Sequence, residues 1–85
     1  MMNWQLYMRP GCHLCDEAEH WLEALAQEFQ AQLVCINILD DVAVYERYKY
    51  KIPVLQIAAQ SWYYPFNETT IRNALNSIPN PDQGV

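Results

Sequence analysis

RPGCHLCDEAEHWLEAL, residues 9–25, places two cysteines three positions apart where a turn passes into a helix. Pro10 and Gly11 mark the turn, because both residue types interrupt regular structure. From Cys12 to Phe29, apolar residues recur at helical spacing and predict a helix. They are Leu14, Ala18, Trp21, Leu22, Leu25 and Phe29. The sequence therefore predicts a cysteine pair at the start of a helix.

Strand and helix patterns alternate around this segment. NWQLYM (3–8) alternates as a strand does. QLVCINI (32–38) is a nearly continuous apolar run, which favours a strand covered on both faces. Asp40 or Asp41 can cap a short helix that runs to about Tyr48.

The last third of the chain predicts a hairpin and a helix. PVLQI (53–57) is a strand that starts at a proline, and SWYYPF (61–66) is its predicted partner. Asn67 can cap a final helix. The core side of that helix consists of Ile71, Ala74, Leu75 and Ile78.

The resulting order, β-α-β-α-β-β-α, predicts an α/β fold with one four-stranded mixed sheet and helices on both faces. The first strand–helix–strand unit implies a parallel pair with a right-handed crossover. With 85 residues, of which 52% are hydrophobic, the chain has room for one core. We expect a single domain over residues 1–78 and a flexible tail over 79–85.

Charge excludes several classes of function. The net charge is −5, and five Lys and Arg residues are too few to form a basic face for nucleic acid or an anionic membrane. No apolar run approaches the ~20 residues that span a bilayer. The N-terminal segment lacks the pattern of a signal peptide, so we expect a cytoplasmic protein, in a compartment that keeps thiols reduced.

The two cysteines should differ in reactivity. At a helix N-terminus, unpaired backbone N–H groups and the helix dipole stabilise an anion, which lowers the pKa of a thiol there. Cys12 gains more from this than Cys15, which lies one turn later and close enough to form a disulfide. A protonated His13 would act in the same direction, whereas Asp16 and Glu17 oppose it. Cys12 is thus predicted to attack a disulfide and Cys15 to resolve the mixed disulfide.

Two other interpretations of the pair stay open. Structural zinc needs four ligands, and beyond the pair the candidates are His13, His20 and Cys35, with no second C-x-x-C. His20 is expected to be a solvated helix residue, and Cys35, in the middle of a strand, a buried thiol. The third interpretation is that Cys12 and Cys15 only fill space.

Three segments carry a resemblance to a known family: GCHLCDEA (11–18), KIPVL (51–55) and WYYPFN (62–67). With them the chain resembles the glutaredoxins of the thioredoxin-like fold, and more closely the short bacterial glutaredoxin-like proteins with a C-x-L-C motif. The resemblance implies a minimal thioredoxin-like fold and thiol–disulfide oxidoreductase activity. Cys12 would be the nucleophile and Cys15 the resolving thiol.

The resemblance also implies a binding groove. Pro53 would be a cis-proline facing the cysteines, and the backbone of Ile52 would pair with an extended peptide or glutathione. Arg9 would lie near the glycine carboxylate of glutathione, and Asn67 and Glu68 near its γ-glutamyl end. His13, between the cysteines, completes the set of predicted substrate-binding residues.

The expected partners are glutathione or disulfide-containing proteins. Glutathione is a candidate reductant, and no tightly bound cofactor or metal is expected. The sequence departs from the usual glutaredoxins at His13-Leu14, where they carry Pro-Tyr, and at YYPFNE (63–68), which replaces a glycine-rich and a Cys-Asp element. The alternatives are a non-enzymatic module that binds a protein in the groove around Ile52 and Pro53, or a metal or cluster held by Cys12 and Cys15 of two subunits.

Overall fold

The computed structural model describes residues 2–77. The predicted order β-α-β-α-β-β-α is confirmed. The elements are β1 (Asn3–Met8), α1 (His13–Glu28), β2 (Gln32–Asn37), a 3-10 turn (Ile38–Asp40), α2 (Val42–Tyr48), β3 (Val54–Ile57), β4 (Gln60–Tyr63) and α3 (Glu68–Ser77). The predicted tail at 79–85 and the predicted core position Ile78 lie outside the described residues.

The four strands form one mixed sheet in the order β2-β1-β3-β4. β1 runs parallel to β2, as a right-handed strand–helix–strand unit requires, and antiparallel to β3. In this register Leu6 of β1 lies between Cys35 of β2 and Leu55 of β3. β3 and β4 form the antiparallel hairpin that the sequence predicted.

Helices cover both faces of the sheet, because successive strand residues point to opposite sides. On one face, Leu6 and Leu55 pack against Leu22 of α1 and Ile71 of α3, and all four side chains are fully buried. On the other face, Tyr7 packs in a smaller cluster that includes Tyr48 of α2; the cluster also contains Ile38 and Val54. α1 and α3 therefore share one face, and α2 covers the other.

α2 and α3 begin at polar residues that were predicted to cap them. Of the two candidate caps for α2, Asp41 is the one used, and its Oδ1 accepts from the backbone N–H groups of Ala43 (2.9 Å) and Val44 (3.1 Å). Asn67 precedes α3 and caps it. These side chains satisfy N–H groups that have no partner inside the helix.

β2 corrects two expectations. It is an edge strand, and none of its residues is fully covered, so the prediction of a strand buried on both faces is wrong. Cys35 is exposed, so the prediction of a buried thiol is also wrong. An apolar run reports the composition of a strand, whereas its burial depends on strand order and on which helices pack against it. His20 is exposed on α1, as expected.

The hairpin strand β4 ends at Tyr63 rather than continuing to residue 66. Pro65 follows Tyr64 through a cis peptide bond and has no N–H group for a strand ladder. Residues 64–67 instead cross over to the start of α3. Among residues 2–77, no helix has the length and apolar character needed to cross a membrane.

Candidate redox site

Cys12 lies at the N-cap of α1, as predicted. Its backbone is extended (φ −97°, ψ 105°), and its Sγ accepts a hydrogen bond from the backbone N–H of Cys15 at 3.2 Å. Gly11 precedes it with a φ of +80°, a conformation that costs glycine little. The sulfur thus replaces the oxygen of an ordinary helix cap, and a thiolate at this position would gain a charge-assisted hydrogen bond.

Cys12 and Cys15 are joined as a disulfide, with their Cα atoms 5.2 Å apart. The two sulfurs differ in access. Cys15 has an exposed fraction of 0%, whereas Cys12 is partly exposed. An incoming sulfur atom can therefore approach Cys12 from solvent, and Cys15 can react only with a group already bound at Cys12.

A cis-proline lines a cleft together with the helix that carries the pair. The Ile52–Pro53 peptide bond is cis, which is the geometry that the resemblance implied, and Pro53 is buried. The N–H of Ile52 donates to the carbonyl oxygen of Tyr48 at 3.2 Å. The N–H of Ile52 is therefore already bonded within the protein.

A cleft of about 100 Å³ connects this proline to the cysteine helix. We call it the Pro53 cleft. Its lining consists of Leu14, Glu17, Ala18, Trp21, Pro53, Tyr64 and Phe66. Leu14 stands between the two cysteines, so the cleft opens next to the disulfide. The rings of Trp21 and Phe66 meet edge to face, with centroids 5.9 Å apart, and form its apolar floor.

The predicted contacts for the γ-glutamyl end are engaged within the protein. Asn67 Oδ1 accepts from the backbone N–H of Thr70 at 2.9 Å and from its hydroxyl at 3.1 Å. Glu68 pairs with Arg72 at 2.8 Å, and Arg72 also pairs with Glu28 of α1. The hydrogen bond from Arg72 lowers the pKa of Glu28, so this bridge between α1 and α3 is ionised at neutral pH.

The remaining predicted residues are on the surface. Arg9 follows β1 and is exposed, and His13 is exposed at the first position of α1. The structure therefore brings Leu14 and Pro53 into one cleft, while Asn67 and Glu68 serve the local structure of α3.

Sequence reasoning missed most of the cleft. Glu17 was assigned to the charge of the helix, Trp21 to its apolar face, and Tyr64 and Phe66 to the second strand of the hairpin. Their signal was position: Glu17 follows the second cysteine by two residues, and the two aromatic residues after β4 fall in a segment that carried the family resemblance.

Cys35 belongs to a different groove, between α1 and β2. This acidic groove has a volume of about 400 Å³, and Glu19, Glu23 and Cys35 contribute to its lining. Partial burial of the thiol, together with the carboxylates of Glu19 and Glu23, raises the pKa of Cys35 to about 11. Cys35 is therefore exposed but holds its proton at neutral pH.

This pKa predicts slow alkylation of Cys35. At pH 7.5, the oxidised protein should react with iodoacetamide about two orders of magnitude more slowly than a free cysteine of pKa about 8.5, because the thiolate is the nucleophile. The rate should rise with pH up to about 11, the pKa of the thiol. Glu19→Gln should speed the reaction at pH 7.5, and Glu46→Gln on α2 is the matched control. Labelling as fast as that of a free cysteine would contradict the prediction.

The zinc interpretation finds no support in one chain. Within the described part of the chain, residues 2–77, no group of three or more His, Cys, Asp or Glu side chains is placed to hold a metal ion. Cys12, Cys15, His20 and Cys35 therefore do not form, within these residues, the four-ligand site that structural zinc requires.

The sequence and the fold match known proteins. The family model for the glutaredoxin-like domain (DUF836) matches residues 3–76. The X-ray structure of the structural genomics target XcR50 from X. campestris is 35% identical, with a TM-score of 0.72, over 89% of this chain and 99% of that one. The solution structure of Ne2328 from Nitrosomonas europaea is 26% identical, with a TM-score of 0.71, over 87% of this chain and 89% of that one.

A thioredoxin shares the fold at low identity. Thioredoxin 1 from Thermosipho africanus superposes with a TM-score of 0.73 at 12% identity, over 88% of this chain and 91% of that one. The thioredoxin-like architecture predicted from the sequence is confirmed. By its match over nearly the whole length, this chain belongs to the glutaredoxin-like domain family of the thioredoxin fold.

Proposed function

We propose that the protein is a thiol–disulfide oxidoreductase that acts in the cytoplasm, with Cys12 as the nucleophile and Cys15 as the resolving thiol. The observation that carries the proposal is the asymmetry of the pair. Cys12 is partly exposed and caps a helix N-terminus, whereas Cys15 is buried within disulfide distance. Only the first sulfur is both accessible and stabilised as an anion.

The reaction has two exchange steps. The Cys12 thiolate attacks one sulfur of a substrate disulfide, forms a mixed disulfide and releases the other sulfur as a thiolate, which takes a proton from water. Cys15 then loses its proton and attacks Cys12, which releases the second substrate thiol and leaves the Cys12–Cys15 disulfide. Two electrons have passed to the substrate. A thiol reductant, either glutathione or a dithiol protein, must return them.

The reduction potential tests this function. We expect the Cys12–Cys15 couple to equilibrate with glutathione or dithiothreitol buffers at between about −180 and −270 mV, the range of working oxidoreductases. Tryptic mapping after acid quenching measures the oxidised fraction, and Cys35→Ser removes the third thiol. A pair that stays oxidised or reduced throughout that range contradicts the proposal.

A second function is favoured by one observation. Leu14 is 42% exposed and Tyr64 is 47% exposed, and both line the Pro53 cleft, so the cleft presents apolar surface to solvent. Such surface suits a module that binds a protein without chemistry. Binding of a partner that is unchanged in Cys12→Ser, together with a pair that does not cycle, would favour the module over the enzyme.

A further inference from the structure

We propose that the Pro53 cleft selects a disulfide-bonded protein segment that carries an aliphatic side chain and a lysine or arginine next to its half-cystine. This inference rests on the proposed oxidoreductase function and specifies its substrate class. The aliphatic side chain would enter the cleft, and the cationic side chain would pair with Glu17.

The shape and chemistry of the cleft favour an aliphatic group. Leu14 stands at its edge, half exposed, and the edge-to-face rings of Trp21 and Phe66 provide apolar contact. Pro53 also lines the cleft. An aliphatic side chain would remove this apolar surface from water. Glutathione has no such side chain, because its residues are γ-linked glutamate, cysteine and glycine.

The charge at the cleft favours a cation. Glu17 is the carboxylate among the described residues of the lining, and within residues 2–77 it makes no ion pair shorter than 4 Å. Asp16 precedes it on the exposed surface of α1. A lysine or arginine of the substrate would supply the missing partner, whereas the two carboxylates of glutathione would be repelled.

The polar groups at the start of α3 already bond to other groups of the protein. The amide of Thr70 is bonded to Asn67, and the guanidinium of Arg72 is shared by Glu28 and Glu68. A carboxylate ligand would have to displace these contacts and would meet the charge of Glu68. Glu17 in the cleft and Glu68 at the start of α3 therefore both disfavour an anionic substrate.

A set of capped peptides tests the selectivity. Each of three peptides carries one cysteine linked to thionitrobenzoate. The residues on both sides of this cysteine are leucine and lysine in the first peptide, serine and lysine in the second, and leucine and glutamate in the third. Glutathione linked to thionitrobenzoate is the fourth substrate. The Cys12 thiolate attacks the peptide sulfur and releases coloured thionitrobenzoate. Each rate of the reduced protein is divided by the rate of dithiothreitol with the same substrate, which removes intrinsic differences in reactivity.

The leucine and lysine peptide should react fastest. We expect about a tenfold loss on replacing leucine with serine, in line with the discrimination of apolar pockets. Replacing lysine with glutamate should cost about threefold or more, as expected for an exposed ion pair. Glutathione–thionitrobenzoate should be the slowest substrate.

Variants of the cleft separate the two contributions. Glu17→Gln should abolish the preference for lysine over glutamate and keep the preference for leucine, and Leu14→Ser should do the reverse. Glu23→Gln removes the same charge from the same helix but lies in the acidic groove, so it should keep both preferences. Equal normalised rates for all four substrates, or an unchanged preference in Glu17→Gln, would overturn the inference while the oxidoreductase function stands. No release of thionitrobenzoate from any substrate would overturn both.

Discussion

Replacing Cys12 with serine should lower the rate of disulfide reduction by about a thousandfold or more, because the attacking thiolate is lost and a serine hydroxyl does not ionise near neutral pH. Replacing Cys15 should have a different effect. Cys15→Ser retains the attacking thiol but lacks the group that resolves the mixed disulfide, so the covalent intermediate should accumulate. Stoichiometric reduction of a protein disulfide, followed by intact mass measurement, checks both results.

The expected trap follows from the burial of the second cysteine. Because Cys15 has an exposed fraction of 0% and donates its backbone N–H to the sulfur of Cys12, it is held next to the intermediate. With serine at that position, only an external thiol can release the substrate. Cys15→Ser should therefore show one added substrate mass, which dithiothreitol removes.

Cys35→Ser is the matched control for both variants. Cys35 is also a cysteine, but it lies in the acidic groove and its thiol pKa is raised to about 11. Cys35→Ser should reduce disulfides at an unchanged rate, and no trapped species should accumulate. Full activity in both Cys12→Ser and Cys15→Ser would contradict the proposed function, and trapping in Cys12→Ser would reverse the two roles.

Local patterns predicted the elements that carry the site. The spacing of Ala18, Leu22 and Leu25 defines the buried face of α1, and the same face appears in the structure. The position of Cys12 at the N-cap followed from Pro10 and Gly11 before it and from the helical pattern after it. Such features depend on neighbours within a few residues, so they can be predicted from the sequence.

Features that depend on distant parts of the chain were missed. The burial of β2 depends on its place at the sheet edge, and the Pro53 cleft depends on Phe66 packing against Trp21, 45 positions earlier in the chain. The ion pairs of Glu68 were missed for the same reason. Glu68 pairs with Arg72, four residues later, and Arg72 also pairs with Glu28 on another helix.

Leu22→Ala should cause the largest loss of stability that a single conservative change can produce here. Leu22 has an exposed fraction of 0% and packs in the core cluster that joins α1 to the sheet and to α3. Truncating a buried leucine to alanine costs about 2–5 kcal/mol, the sum of lost burial and the cavity left behind. A domain of 85 residues has a free energy of unfolding of only about 4–13 kcal/mol, so the loss is a large part of the total.

Urea unfolding followed by tryptophan fluorescence measures this effect. The midpoint for Leu22→Ala should fall sharply with an unchanged slope, because the same surface is exposed on unfolding. Leu39→Ala makes the same chemical change at a side chain that is 54% exposed, and it should shift stability by no more than about 0.5 kcal/mol. Equal midpoints for the two variants would contradict the core described here.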